Sequence, residues 1–118
     1  MPGSRGTFQT LTPSVKIENA RFDGTDSPAQ NGITVLIVPR ADGDARLVAE
    51  WGGHPFEYEI HTFNVTKGTD GPDYPQQGPD VGVDKAIPVT ANDTWRITLK
   101  NSATGFGITP MTATISWP

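Results

Sequence analysis

The chain has 118 residues, 35% of them hydrophobic, with 13 Gly, 11 Pro and no cysteine. That length suits one domain of the common ~100–150-residue size, and the absence of cysteine excludes thiol catalysis, zinc–thiolate centres and disulfide staples. A net charge of −4, with 9 basic residues scattered singly among 13 acidic ones, argues against nucleic acid as a partner, because phosphate backbones are bound by clustered Lys and Arg.

Residues 1–6, Met-Pro-Gly-Ser-Arg-Gly, read as a flexible leader, and residues 7–118 as a single β-sandwich domain. No apolar segment follows a basic start, so no secretory signal is visible in the opening residues. The longest apolar stretch, Ile33 to Pro39, is far short of the roughly 20 residues that a transmembrane helix needs. The expected location is cytoplasmic, or outside the cell after release without a classical signal peptide.

Eight strands are expected: Thr7–Leu11, Val15–Phe22, Ile33–Pro39, Ala45–Trp51, Phe56–Val65, Ala86–Val89, Thr94–Lys100 and Met111–Trp117. Turn formers such as Asp23-Gly24, Asn31-Gly32, Asp42-Gly43 and Gly52-Gly53 separate them, and no helical period survives these breaks. Ile33–Val38 is apolar on both faces, which predicts a central strand covered on both sides. Its expected partner is Arg46–Trp51, reached through the Asp42-Gly43 turn. Phe56, Tyr58 and Ile60 alternate with Glu57, Glu59 and His61, but Phe63 and Val65 then fall on the charged face. A bulge near Thr62 would account for that slip, the alternative being a strand whose second half faces a partner or the opposite sheet.

The last two strands alternate most strictly. A period of two directs Trp95, Ile97 and Leu99 inward, and likewise Met111, Ala113, Ile115 and Trp117. Many short strands joined by Gly/Pro turns predict an all-β, two-sheet antiparallel sandwich of jelly-roll type, with a small closed β-barrel as the alternative.

Residues 67–85 lack any periodicity and hold Asp70, Asp73, Asp80, Asp84, Tyr74 and three prolines. They read as a long, stiffened loop, of the sort that is often functional. Asp70, Asp73 and Asp80 are candidates for Ca²⁺, a hard cation that takes oxygen ligands. The same carboxylates accept sugar hydroxyls, with Tyr74 as an exposed ring for a pyranose face. Trp51 and His54, from the hairpin loop before Phe56, complete the candidate ligand-binding set.

A further constellation, His54, Glu57, Glu59 and His61, has the ligand types of a metal-dependent enzyme. Along an extended strand, however, Glu57 and His61 stand about 13 Å apart. No Gly-x-Ser-x-Gly elbow and no phosphate-cradling glycine loop occurs, so catalysis is not the favoured reading. The expected function is non-catalytic, lectin-like recognition of a carbohydrate or cell surface through loops at one end of the sandwich. The alternatives are an assembly or toxin-component subunit that forms a homo-oligomer through its β edges, and the metal-dependent enzyme.

Overall fold

The computed structural model describes residues 13–23, 32–52, 55–101 and 108–118. The expected leader, the expected strand at Thr7–Leu11 and His54 lie outside these residues. The strands are β1 (Ser14–Asp23), β2 (Ile33–Ile37), β3 (Gly43–Glu50), β4 (Phe56–Asn64), β5 (Thr69–Asp80), β6 (Gly82–Val89), β7 (Trp95–Asn101) and β8 (Ile108–Ser116). No helix occurs among the described residues, and so none long and apolar enough to cross a membrane.

Two antiparallel four-stranded sheets form, in the orders β1-β8-β3-β6 and β2-β7-β4-β5. Neither closes on itself, which sets aside the barrel alternative. Each early strand pairs with a late one, as a doubled Greek key requires, and the result is a jelly roll. The inward set follows from alternation. Leu47, Ile87, Met111, Ala113 and Ile115 from the first sheet meet Phe56, Ile60, Ile97 and Leu99 from the second in one buried cluster.

Three sequence expectations are corrected. First, β2 is an edge strand of the second sheet and pairs with β7, not with β3. Its second apolar face is uncovered, and Leu36 is 64% exposed. Sequence alternation cannot distinguish an apolar edge from a buried centre. Second, β4 is not bulged at Thr62: its pairing with β7 runs unbroken from Tyr58↔Asn101 to Asn64↔Trp95. Thr62 and Asn64 occupy the inward positions, both buried, while Phe63 and Val65 remain on the outer side.

Third, residues 67–85 are not a loop. They contain β5 and the start of β6. The 12 residues of β5 pair with the 9 of β4 through three register shifts, each leaving the extra residue on β5. Pro72, Pro75 and Pro79 cannot donate to a ladder, so they are tolerated only on an edge strand or at bulges, and β5 offers both. Gln76 (φ 50°) and Gly78 (φ 83°) take the left-handed turns at two of the bulges. The third is closed by Thr62, whose Oγ1 donates to the Pro72 carbonyl at 2.6 Å. Gly71 lies beside it, where a Cβ would come within 2.5 Å of the Trp95 ring.

Candidate functional site

The outer face of the second sheet brings charged side chains from three strands into rows. Regular pairing sets Arg96 opposite both Phe63 and Leu36, Thr98 opposite both His61 and Thr34, and Lys100 opposite Glu59. The bulged strand β5 adds Asp73 opposite His61 and Asp70 opposite Phe63. Neighbouring strands lie about 4.7–4.9 Å apart, so these side chains form a continuous platform.

Four of them are linked directly. Asp73 Oδ1 contacts His61 Nδ1, and His61 Nε2 meets Glu59 Oε1 at 2.7 Å. Lys100 Nζ reaches the same Glu59 oxygen at 3.1 Å. A neutral imidazole donates from only one nitrogen, whereas the imidazolium donates from both. Carboxylates on both sides therefore favour the charged ring, and the hydrogen bond that it donates to Glu59, helped by Asp73, raises the His61 pKa above its usual value against the opposing effect of burial. For Glu59, burial pushes upward, but His61 and Lys100 together outweigh it and hold the carboxyl below the ordinary range. Alongside, the Arg96 guanidinium lies over the Phe63 ring, 4.9 Å from its centroid.

Two shallow depressions open on this face. One, of about 170 Å³, is lined by residues that include His61, Phe63, Arg96, Thr98 and Lys100. The other, of about 290 Å³, runs towards Asp70, Gly71 and Asp73.

The expected ligand residues divide between two places. Asp70 and Asp73 stand on the platform. Asp80 does not: it pairs with Phe56, whereas Asp70 pairs with Phe63, seven positions along β4, or roughly 20 Å at about 3.3 Å per residue. One Ca²⁺ shell cannot take all three. Among the described residues, no group of three or more His, Asp or Glu side chains is placed to hold a metal ion.

Tyr74 is not an exposed ring. It is half-buried against the core at the open side of the sandwich, with Lys85 Nζ 4.2 Å from its centroid. Trp51 is structural. It is buried, packs edge-on against Tyr58 at 5.6 Å, and donates from Nε1 to the Asp80 carbonyl at 2.7 Å. Its own amide and that of Gly52 both donate to Val81 O, latching the end of β3 to the β5–β6 corner. Burial of the Tyr58 hydroxyl, with Asp80 nearby, raises its pKa.

Of the metal-enzyme set, both nitrogens of His61 face carboxylates, and Glu57 is exposed further along β4. Arg96, Thr98, Lys100 and Phe63 had no place in the sequence-based candidate set. Alternation does put the first three on one outward face of β7, but nothing in the sequence says that β4 lies beside it.

No family model matches the chain, and no curated protein matches it. Solved structures do share the fold. Tripeptidyl peptidase 2 is similar with a TM-score of 0.66 and 12% identity over 92% of this chain, which spans only 10% of the length of that one. The BppUct-A-L tripod from the baseplate of bacteriophage Tuc2009 gives a TM-score of 0.52 at 13% identity, covering 89% of this chain and 88% of its own. The mitogen derived from Yersinia pseudotuberculosis gives 0.51 at 10% identity, covering 92% and 88%. At such identities the likeness is one of fold alone.

Proposed function

We propose that this protein is a non-catalytic recognition module that binds carbohydrate on the outer face of its second sheet. One observation carries the reading: the row Asp73–His61–Glu59–Lys100 lies beside Thr98, Arg96 and the Phe63 ring along a shallow groove. Alternating acceptors and donors beside an apolar ring suit a ligand rich in hydroxyls, each of which both donates and accepts. Recognition on a sheet face replaces the loop-end site expected from sequence, because the supposed loop is a strand. The imidazole on this face, His61, is held by carboxylates at both nitrogens, an arrangement that suits a fixed hydrogen-bonding surface better than a proton-transferring base.

A glycan array with wild-type protein and the His61→Ala and Asp73→Ala variants tests this. Binding that weakens tenfold or more in both variants is expected, with circular dichroism unchanged. Wild-type indifference to every glycan overturns the reading.

A second reading, assembly through sheet edges, draws on one feature. Strand β2 is an uncapped edge in the described residues, and it brings exposed Leu36 and the adjoining exposed Val38 to the surface. Edges of that kind invite strand pairing. Light scattering decides it: an oligomer that becomes a 12.7 kDa monomer on Leu36→Lys supports assembly, and a wild-type monomer removes it.

A further inference from the structure

The charges on the platform are sorted by strand. Asp70 and Asp73 belong to β5, Glu59 and His61 to β4, and Arg96 and Lys100 to β7. From β5 to β7 is two strand spacings, about 9–10 Å, the length of a disaccharide unit. The two cations of β7 are not equivalent. Lys100 is paired with Glu59. Arg96 makes no ion pair with any described residue, and its guanidinium lies over the Phe63 ring. A guanidinium stacked on a ring keeps its in-plane N–H fork free, and that fork matches two oxygens of a carboxylate or sulfate. Thr98, whose hydroxyl bonds Thr34 Oγ1 at 3.3 Å, stands next along β7 and lines the same groove.

Resting on the carbohydrate reading above, we infer that the ligand is an acidic saccharide whose anionic group sits on Arg96, beside Thr98 and Lys100, with its hydroxyls directed to Asp70 and Asp73. The β5 carboxylates repel an anion and accept hydroxyls, so the ligand has one preferred direction across the sheet. A neutral sugar leaves the Arg96 fork without a counter-charge and gains nothing from the sorting.

The test is a glycan panel with uronic-acid, sialylated and sulfated oligosaccharides. It includes their neutral counterparts, with carboxylates methyl-esterified and sulfates removed. Wild-type protein is compared with Arg96→Gln, Arg96→Lys and Asp73→Ala. A tenfold or greater preference for the acidic member, lost in Arg96→Gln and only partly restored in Arg96→Lys, is the expected result. The uronic, sialic and sulfate arms identify which acid carries the charge. Binding that does not distinguish acidic from neutral members overturns the inference but leaves the carbohydrate function standing. Acid-selective binding unaffected by Arg96→Gln also overturns it. No binding to any member overturns both. Arg96 is exposed, and a single cooperative melting transition shows that the variants are folded.

Discussion

At the scale of single residues, His61 couples the platform to pH. Its pKa is raised in the fold, so its contribution to stability is complete below the unfolded value of about 6.5 and disappears as pH rises through the higher folded value. Glu59 runs the other way: its contribution is present above the unfolded value of about 4.3 and is lost as pH falls through the lower folded one. Between these limits both groups are charged. The melting temperature of wild type should therefore exceed that of His61→Gln by more at pH 5.5 than at pH 9. Parallel curves across that range would show that the imidazole has no charged partner in the fold. The side chain is 40% exposed, so solvent keeps the effect small.

Gly71 makes the opposite kind of prediction, one of volume. A methyl group there meets the Trp95 ring and Thr62, and overpacking of this type typically costs about 1–3 kcal/mol. Chemical denaturation of Gly71→Ala should register that loss, and an unchanged midpoint would mean that β5 does not press against the core at this point. At Trp51, replacement by phenylalanine keeps most of the apolar volume but forfeits the bond to the Asp80 carbonyl. The expected loss is about 1 kcal/mol for the bond, with some packing loss added. Stability equal to wild type would mean that the indole bond to Asp80 contributes nothing to the fold.

At the scale of elements, β7 and β5 mark the two extremes of what sequence reveals. Trp95, Ile97 and Leu99 alternate with Arg96, Thr98 and Lys100, and the strand occupies a central position with that alternation preserved. Strand β5 hides its nature. Its prolines, glycines and aspartates have turn chemistry, and its bulges break the period of two that a strand should display. The supporting contacts come from Thr62 on β4, across a short turn, and from Trp95 on β7, further along the chain. Strand β2 misleads in another way, because an apolar run on both faces is compatible with a buried centre and with an edge that meets a partner. Leu36 and Leu99 separate those cases. Leu36→Lys should change stability by no more than about 0.5 kcal/mol, as for exposed sites, whereas Leu99→Ala should cost about 2–5 kcal/mol. Equal and large losses, read from denaturant midpoints, would mean that β2 is covered on its outer face.

For the whole molecule, the sandwich was readable because period-two alternation recurs in strand after strand. Strand order was not readable, because register depends on which distant segments meet. That difference governs the candidate site as well. Asp70 and Asp73 attract notice from sequence alone, but their companions His61, Arg96 and Lys100 come from two other strands. The buried polar knot at one end of the sandwich was equally hidden. Asn64 Nδ2 and Thr90 Oγ1 donate to Asp93 Oδ2 at 2.9 and 2.6 Å, with Lys67 Nζ at 3.5 Å. The bonds from Thr90 and Asn64, aided by Lys67, hold the Asp93 carboxyl below its ordinary range. The knot explains why Asn64 takes an inward position.

The most direct measurement is a backbone amide chemical-shift titration with the oligosaccharide that binds best on the array. Shifts should concentrate on His61, Phe63, Arg96, Thr98, Lys100 and Asp73, with β3, β6 and β8 unmoved. Shifts confined to the first sheet or to the ends of the sandwich would contradict the placement of the binding face.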